Sequence, residues 1–575
     1  MLTLNEVNLR AALTVGEAMN RSVRTCLLAF GVLFGVLLAP VTLAAKLGDR
    51  IDTIMAASYP GDGPGAAAIA VREGKVVYRG ARGMADLENG LELSPESVFR
   101  LGSITKQFTA ASIMLLVERG ELSLSDPLTQ FLPDYPVHGH TITVENLLTH
   151  TSGIFNYTNI PGYMQTRIRS DLSTEKLIDE FKDQTIDFAP GERFSYSNSG
   201  YVLLGAIIEK VSDQSYEEFV QKNIFDRLGM EHSYYGSHTR LIPDRARGYG
   251  GAPGNWSNAP YLSMTQPHAA GSLLSTVDDM ARWNAALFGG ELLKPESVER
   301  MIQTFELNDG EKSAYGFGLG IGALKGRTAI SHGGGIHGFS TFATHLPEDK
   351  IFVAVLTNAP GLPVRPATVA NRIAAVVAGA PFDEFKSISL SPDVLQRYVG
   401  VYRIDENAER VISVEGGQLF TQRTGSNRLA AQAHSTTGFF YENSLTHFEL
   451  IQDGSGEVVE MLMFQESSAE PERAVRVSRT VPEQAVAEID PQVYAGYVGE
   501  YELRPGFTLT ITVDGDRLFG QASGQGRAEL FPESETVFFL KVVNAKVVFE
   551  PGDDGRASGL VLSQGGQEIA GKRID

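Results

Sequence analysis

The chain is organised around residues 99–116, which read FRLGSITKQFTAASIMLL. Apolar residues recur in this stretch with the period of a helix: Ile104, Phe108, Ala111, Met114, Leu115. Gly120 follows as a helix stop signal. The pattern therefore predicts a buried helix with Ser103 in its first turn.

The spacing of Ser103 and Lys106 suits nucleophilic catalysis. Residues three apart share one face of a helix, so the hydroxyl and the amine lie together. Burial lowers the pKa of a lysine, and a serine hydroxyl beside a neutral amine is an activated nucleophile. The backbone N–H groups at the helix N-terminus would stabilise an oxyanion formed beside Ser103.

A second chemical element lies in residues 190–200, which read PGERFSYSNSG. This turn-rich loop delivers Tyr196 and Asn198 just before an apolar helix. A phenol near a lysine can carry a proton to a leaving group, and an Asn amide can bond both the lysine and a substrate carbonyl. The loop therefore predicts partners for the serine and the lysine.

A third element, SHGGGIHGFS at residues 331–340, follows one predicted strand and precedes another. Its glycines would let a strand edge approach a ligand closely and expose an N–H to an oxyanion. The alternative is a simple glycine hairpin turn. His332 could otherwise ligate a metal, as could His138 and His140, but none has a third ligand at a recognisable spacing. No Gly-x-Ser-x-Gly elbow occurs.

Two of these motifs also occur elsewhere in the chain. A Ser-x-x-Lys begins at Ser173, which we read as the capped start of an exposed helix. Two further Tyr-x-Asn pairs, at residues 157–159 and 441–443, lack the loop-to-helix setting and are read as unrelated to catalysis. The assignment therefore depends on the combination of motifs.

Three motifs occur in one order: Ser103-x-x-Lys106, Tyr196-x-Asn198, His332-x-Gly334. Their order and spacing resemble the serine β-lactamase and penicillin-binding family, in particular the branch of class C β-lactamases, D-Ala-D-Ala carboxypeptidases, D-aminopeptidases and related esterases. The resemblance covers about residues 48–380. Three further segments share it: 146–153, 270–275 and 315–318.

The resemblance implies a fold class and catalytic roles. The fold would be α/β (α+β), an antiparallel sheet flanked by helices. Ser103 would be the nucleophile, Lys106 the base that activates it, and Tyr196 the proton shuttle for acylation and deacylation. No cofactor and no metal are implied.

The resemblance also implies binding roles. Asn198 would position the lysine and the substrate amide, and His332 would stand where many lactamases have lysine. Gly334 would belong to the binding strand, and the N–H of Gly335 would complete the oxyanion hole with that of the serine. Gly333 departs from the usual Thr or Ser, so a hydroxyl for a lactam carboxylate is missing. Slow lactam hydrolysis is therefore expected, with a pH response near the ordinary histidine pKa of about 6.5.

The coarse pattern agrees with one sheet built from both ends of the domain. Residues 65–80 read as a hairpin, and the middle of the chain reads as helices with long loops. Strands return over 315–321, 329–332 and beyond. A last helix over 367–378 would close the domain.

An internal repeat follows, with every match at an offset of 99 residues. The matches are 398–402 with 497–501, 419–420 with 518–519, and 439–440 with 538–539. Short alternating segments with Gly/Asp turns predict two small antiparallel β-barrel domains, 390–480 and 491–575.

The two copies differ in residues 520–527, a Gly-rich polar stretch whose counterpart, 421–427, has a single glycine. In the D-aminopeptidases that this architecture resembles, a loop from a C-terminal barrel reaches into the catalytic cleft. Residues 520–527 are expected to form such a flexible loop. The alternative is that both barrels only pack against the catalytic domain or mediate oligomers.

Residues 1–45 read as a signal peptide: basic residues, an apolar run over 26–39, and small residues before Lys46. Met19 is an alternative start, and an uncleaved membrane anchor is the rival interpretation. Cys26 is the only cysteine, so the mature protein would have neither disulfides nor a Cys-based metal site. A periplasmic or secreted location is expected, with membrane contact only during export.

The formal net charge of −20, without a sustained basic run, argues against a nucleic-acid partner. We therefore expect an exported serine hydrolase that acts through an acyl-enzyme on small peptides with D- or unusual residues. A carboxylesterase or weak β-lactamase is the first alternative. A non-catalytic penicillin-binding or scaffold protein is the second. The sequence does not decide the oligomeric state.

Overall fold

The structure, a computed structural model, describes residues 47–481, 486–504, 507–541, 545–552, 555–564 and 567–575. The predicted signal peptide, residues 1–45, lies outside the described residues. None of the described helices has both the length and the apolar character needed to cross a membrane.

Thirteen strands belong to the N-terminal domain: β1 Ala66–Arg72, β2 Lys75–Arg82, β3 Met84–Asp86, β4 Leu91–Glu92, β5 Phe99–Arg100, β6 Tyr234–Tyr235, β7 Tyr249–Ala252, β8 Asn255–Asn258, β9 Leu273–Ser275, β10 Gly320–Leu324, β11 Arg327–Ile336, β12 Phe339–Leu346, β13 Ile351–Thr357. Six of them form the central antiparallel sheet in the order β10-β11-β12-β13-β1-β2. Strands β5, β9 and β6 form a small second sheet. The prediction of one sheet built from both ends of the domain is confirmed.

The helices of this domain, with one short helix after it, are α1 47–58, α2 Thr105–Glu118, α3 Leu128–Phe131, α4 Val144–Leu148, α5 Thr174–Asp179, α6 Asn198–Ser212, α7 Tyr216–Val220, α8 Asp226–Leu228, α9 His268–Gly271, α10 Val277–Phe288, α11 Pro295–Ile302, α12 Pro366–Val377, α13 Pro392–Gln396. A π-helical turn, Gln221–Phe225, joins α7 to α8. Short 3-10 turns occur at Gly102–Ile104, Tyr157–Asn159 and Arg167–Arg169.

Helices cover both faces of the sheet, which explains why β13 is buried along its whole length. Alternate residues of β1 point to opposite faces. Ala66 and Ala68 pack with α1 and α12, whereas Ala67 and Ile69 pack with the core that surrounds α2. The predicted helix over residues 104–118 is thus the centre of the larger core.

The strand predicted over residues 315–321 begins only at Gly320, so that part of the prediction is wrong. The residues before it fold back against α2 instead. Gly318 has a left-handed φ of 69°, and a Cβ there would lie 2.6 Å from the carbonyl oxygen of Lys106. Only glycine allows that approach, and it keeps Tyr315 beside the site described below.

Two closed eight-stranded antiparallel barrels follow. The first consists of β14 Gly400–Arg403, β15 Glu409–Glu415, β16 Gln418–Arg423, β17 Leu429–Ala433, β18 Gly438–Phe440, β19 His447–Gln452, β20 Val458–Phe464, β21 Glu472–Ser478. A 3-10 turn, Pro491–Gly496, leads into the second: β22 Gly499–Arg504, β23 Phe507–Asp514, β24 Arg517–Ala522, β25 Ala528–Pro532, β26 Val537–Leu540, β27 Ala545–Pro551, β28 Ala557–Gln564, β29 Gln567–Arg573. The predicted pair of β-barrels is confirmed.

Equivalent side chains of the repeat make equivalent bonds. The Tyr402 hydroxyl donates to the Tyr398 carbonyl at 2.7 Å, and the Tyr501 hydroxyl donates to the Tyr497 carbonyl at 2.8 Å. Both pairs lie at the entrance of the first strand of their barrel. The duplication read from the sequence is therefore also a duplication of tertiary contacts.

The stretch 520–527 does not form the expected long excursion. Its turn, residues 523–527, joins β24 to β25 and matches residues 424–428 of the first barrel in length. A glutamine on the preceding strand bonds the turn carbonyl in both copies, at 3.0 Å from Gln521 and at 3.1 Å from Gln422. The extra glycines therefore leave the hairpin geometry unchanged.

The first barrel is attached to the edge of the catalytic sheet. Backbone N–H groups of Lys325 and Gly326, at the turn between β10 and β11, donate to Glu466 and Ser467 of the barrel at 2.8 and 3.0 Å. Asn371 of α12 bonds the Glu466 carboxylate. The barrel thus supports the start of β11, the strand that carries the third motif. The glycines of that motif lie at the other end of the strand.

Candidate active site

Ser103 lies in a sharp turn between β5 and α2. The preceding Gly102 has a left-handed φ of 56°, and the chain then forms a 3-10 turn before the α-helix begins at Thr105. Ser103 therefore precedes the first α-helical turn by two residues. It is half-buried, in contrast to the fully buried residues that follow it in α2.

The Lys106 amine is completely buried and lies 3.2 Å from the Ser103 hydroxyl oxygen. It also contacts two acceptors, Asn198 Oδ1 at 2.8 Å and the Ala270 carbonyl at 2.9 Å. No carboxylate is among these contacts, and burial lowers the pKa of Lys106 well below its ordinary value. The predicted pairing of serine and lysine is present in the structure.

Tyr196 lies on the loop before α6, whose N-terminus is capped by the Ser197 hydroxyl. Its ring centroid is 4.7 Å from Lys106 Nζ. Burial raises the pKa of Tyr196, while a hydrogen bond with Ser103 partly opposes that rise. The phenol therefore remains protonated at neutral pH and touches the serine that precedes it by more than ninety residues.

Asn198 is the first residue of α6, and its two amide atoms point in different directions. The oxygen accepts from Lys106, and the nitrogen lies 3.4 Å from Thr158 Oγ1. The segment 157–159, which the sequence analysis set aside, is therefore part of the site as a 3-10 turn on its wall. By contrast, Tyr441 bonds Thr421 within the first barrel.

His332 lies on β11 with both ring nitrogens occupied. Its Nδ1 is 2.6 Å from the Gly333 carbonyl, which can only accept, so Nδ1 carries the proton and Nε2 accepts from the Tyr315 hydroxyl at 2.8 Å. Burial, followed by the nearby Lys106, lowers the pKa of His332 to about 4. The histidine is therefore neutral at physiological pH.

His150 and Tyr315 belong to the site but were not predicted as site residues, although both lie in segments that share the family resemblance. The ring centroid of His150 lies 4.2 Å from that of Tyr196 and 4.9 Å from that of Tyr315, with both ring pairs tilted. His150 Nδ1 accepts from the Ser197 N–H at 3.1 Å. The Lys106 amine itself lies 4.7 and 5.4 Å from the ring centroids of Tyr196 and Tyr201. No periodicity or spacing in the sequence could show this aromatic surrounding.

The third motif lies on a partly open strand edge. Strand β10 pairs with β11 only as far as Ser331, so residues 332–336 have no β10 partner. Gly334 lets β11 approach another segment of the protein, not a ligand, because a Cβ there would collide with the Leu101 carbonyl and with Thr341 Oγ1. Gly335 has open space beside it, and its nitrogen lies 3.0 Å from the position of a Cβ on Gly102.

A cavity of about 310 Å³ opens in front of Ser103. Its lining includes Asn198, Gly271 and Gly335. The larger side chains of the lining are mainly apolar: Tyr157, Met164, Ile168, Leu262, Pro267. All residues that line it belong to the N-terminal domain, so residues 523–527 of the second barrel do not reach it in this structure.

The remaining sequence candidates lie elsewhere. The Ser173 hydroxyl caps α5 by accepting from the Lys176 N–H at 3.4 Å, as predicted. His138 and His140 are exposed. Within the described ranges no three His, Cys, Asp or Glu side chains are grouped as metal ligands would be.

We expect His332 to stay neutral down to a pH of about 4, and not to titrate near 6.5. A histidine in the unfolded chain has a higher pKa, about 6.5. The contribution of the neutral, buried His332 to stability is therefore complete above about pH 6.5, and it is lost as the pH falls toward the pKa in the folded state. Ring ¹⁵N shifts of histidine-labelled protein, assigned with His332→Gln, would measure the titration directly. A midpoint near 6.5 for this ring would contradict the burial argument.

The comparisons with known proteins agree with this geometry. A family model described as Beta-lactamase matches residues 50–378, which carry the central sheet, helices α2 to α12 and all three motifs. A second model, described as Domain of unknown function (DUF3471), matches residues 483–573, the second barrel. Both matches fall on units that the structure shows.

Individual relatives extend the likeness. Penicillin-binding protein 4* of Bacillus subtilis is 26% identical over 529 residues, 87% of this chain and 93% of that protein. A D-aminopeptidase of Gluconobacter oxydans is 28% identical over 58% of this chain and 62% of its own length. The structure of an octameric penicillin-binding protein homologue from Pyrococcus abyssi is 28% identical, with a TM-score of 0.53 over 76% of this chain and 98% of that one.

Proposed function

The chain belongs to the β-lactamase family of serine hydrolases, and we propose that it cleaves short linear peptides containing D- or otherwise unusual residues through an acyl-enzyme on Ser103. We also propose that it works in the periplasm or outside the cell, on the strength of the signal-like residues 1–45. The environment of Lys106 carries the catalytic part of this proposal.

Lys106 is arranged as a base for Ser103. A neutral amine has two N–H donors and one lone pair, and the two nearby acceptors, Asn198 Oδ1 and the Ala270 carbonyl, use both donors. The lone pair is left to face the serine hydroxyl at 3.2 Å. Lys106 would therefore take the hydroxyl proton while Ser103 attacks the substrate carbonyl.

Tyr196 would carry the proton onward. Its raised pKa keeps the phenol protonated, which makes it a poor primary base but a suitable donor to a leaving amine. It lies against both Ser103 and Lys106, so the proton taken by the lysine can replace the one that the phenol gives up. Water would then attack the acyl-enzyme, and the same proton transfers in the reverse direction would restore the Ser103 hydroxyl.

The oxyanion would be held by the backbone N–H groups of Ser103 and Gly335. The left-handed Gly102 lets these two segments approach, since its missing side chain would lie 3.0 Å from the Gly335 nitrogen. Donors fixed in this way stabilise the tetrahedral intermediate without reorganising. The substrate backbone would lie along the open edge of β11.

A panel of substrates tests the proposal: L- and D-aminoacyl p-nitroanilides, D-Ala-D-Ala peptides, p-nitrophenyl esters and nitrocefin. We expect the highest kcat/KM for a substrate with a D-residue at the scissile bond, together with fluorophosphonate labelling of Ser103. Turnover of esters alone would make the protein a carboxylesterase. A protein that neither labels nor turns over any substrate would be a binding or scaffold protein.

We expect nitrocefin to be turned over slowly, and Gly333→Thr to raise its kcat/KM by about tenfold or more, because one charge-assisted hydrogen bond is worth about 1.5 kcal/mol or more. The structure has room for the change. A Cβ at Gly333 would lie 3.5 Å from Phe342 Cδ2 and 3.6 Å from the Thr341 carbonyl, which are ordinary contacts. Gly333→Val is the matched control without the hydroxyl. A parent enzyme that strongly prefers nitrocefin would contradict the argument.

A further inference from the structure

A second cavity, of about 390 Å³, adjoins the one in front of Ser103, and His337 lines both. Its walls carry Arg100, Arg245 and Arg247. No acidic side chain lines it in the part of the chain that the structure describes. On a protein with a formal charge of −20, a pocket of three guanidinium groups is unusual.

Two of these arginines lack an acidic partner among the described residues, whereas Arg247 is paired with Asp86. The Arg100 guanidinium bonds only weakly, to the His337 carbonyl at 3.5 Å, and lies 5.6 Å from the Phe339 ring. Arg245 donates to a backbone carbonyl at 2.7 Å. The cavity therefore holds two guanidinium groups without a counter-charge.

The two guanidinium groups influence each other. Burial, followed by repulsion from Arg245, lowers the pKa of Arg100 to about 10. His337, the residue shared by both cavities, faces the backbone of Pro260 and Tyr261. Like charges held close together are unfavourable, and an anion bound here would relieve the repulsion between the two guanidinium groups.

The position of the cavity indicates which part of a substrate would reach it. Tyr196, the proposed donor to the leaving group, lies beside His332, with ring centroids 6.2 Å apart. The leaving group would therefore face that end of β11. The acyl group would extend the other way, past Ile336 and His337, which line the first cavity.

We propose that the second cavity is a carboxylate subsite, which binds an acidic group on the acyl part of the substrate through Arg100 and Arg245. The inference rests on the acyl-enzyme mechanism proposed above. Arg100 precedes Ser103 by three residues, so their Cα atoms are at most about 11 Å apart. The side chains of Ser103 and Arg100 cover part of that distance, and a carboxylate on the residue N-terminal to the scissile bond, or on a short dicarboxylic acyl chain, would cover the remainder. Guanidinium groups suit this role because they bind carboxylates by paired hydrogen bonds.

Matched esters test the subsite independently of peptide specificity. The mono-p-nitrophenyl ester of glutaric acid and p-nitrophenyl pentanoate share a five-carbon acyl chain and a leaving group, and differ in the terminal carboxylate. We expect the ratio of their kcat/KM values to fall about tenfold or more in the double variant Arg100→Gln/Arg245→Gln. The adipate and hexanoate pair repeats the test with one more carbon.

Arg240→Gln is the control for net charge, because Arg240 is exposed and lies over the Tyr234 ring without lining either cavity. In this variant the ratio of the kcat/KM values for the acidic and the neutral ester should stay within twofold of that of the parent. An unchanged ratio in a double variant that melts like the parent would overturn the inference.

Binding separates this inference from the catalytic proposal. If Ser103 is not labelled and no ester is hydrolysed, the proposed function fails, and calorimetric titration with glutarate against pentanoate still decides the subsite. Glutarate binding that is lost in the double variant would support it. Equal or absent binding of the two acids would overturn it.

Discussion

Ser103→Ala should abolish both fluorophosphonate labelling and hydrolysis, with kcat falling by at least about three orders of magnitude. The Ser103 hydroxyl and the Lys106 amine act as a unit, so removing the hydroxyl also leaves the amine without a proton to accept. The fold should persist, because Ser103 is half-buried at a turn and loses only one hydroxyl. Intact-mass analysis of the labelled protein and ester kinetics measure the two losses separately.

Ser173→Ala is the matched control, since it changes the other Ser-x-x-Lys in the same way. It removes the N-cap of α5 and should cost about 1 kcal/mol of stability at most. Labelling and kcat should remain those of the parent. If Ser173 were essential and Ser103 dispensable, the site described here would be wrong.

Gly334→Ala should lower kcat/KM by about 100-fold or more. The new methyl group would collide with the Leu101 carbonyl and with Thr341 Oγ1, which donates to that carbonyl at 2.7 Å. Relieving the collision moves β11 away from the turn that carries Ser103, and a displacement of about 1 Å in an active site can cost about 100-fold. Overpacking should also cost about 1–3 kcal/mol of stability.

Gly322→Ala is the control on the neighbouring strand. A Cβ there would lie 3.9 Å from the Ala329 carbonyl, so the same substitution meets an ordinary contact. Its kcat/KM and melting temperature should stay close to those of the parent. Equal activity of the two glycine variants would show that the spacing between β11 and the serine turn is not critical.

Much of the architecture follows from local pattern. The apolar period after Ser103 predicts the buried helix α2, and the offset of 99 residues predicts two barrels of one design. The hairpin over 65–80 and the late strands predict a sheet that joins both ends of the domain. These inferences succeed because periodicity and turn residues are properties of neighbouring residues, and because a repeat is found by comparing two stretches of the same sequence.

The sequence by itself also brought out Ser103, Lys106, Tyr196, Asn198 and His332 as candidates, since their residue types and spacing suit one chemistry. It could not show that Tyr196 is kept protonated or that the pKa of His332 is lowered to about 4. Those shifts come from burial, and burial depends on elements far apart in the chain. The expected pH response near 6.5 assumed an exposed histidine.

Only the tertiary structure decided which segments meet. It brought residues 157–159 to the wall of the cavity, placed the His150 ring against that of Tyr196, and paired the Tyr315 hydroxyl with His332. It also showed that Gly334 faces Leu101 of the chain itself. Each of these contacts joins segments that are separated in the sequence and are brought together by the packing of the sheet and helices. The sequence by itself therefore determines residue types and their spacing along the chain. The distances between side chains, their protonation states and the contacts of each glycine are determined only by the folded protein.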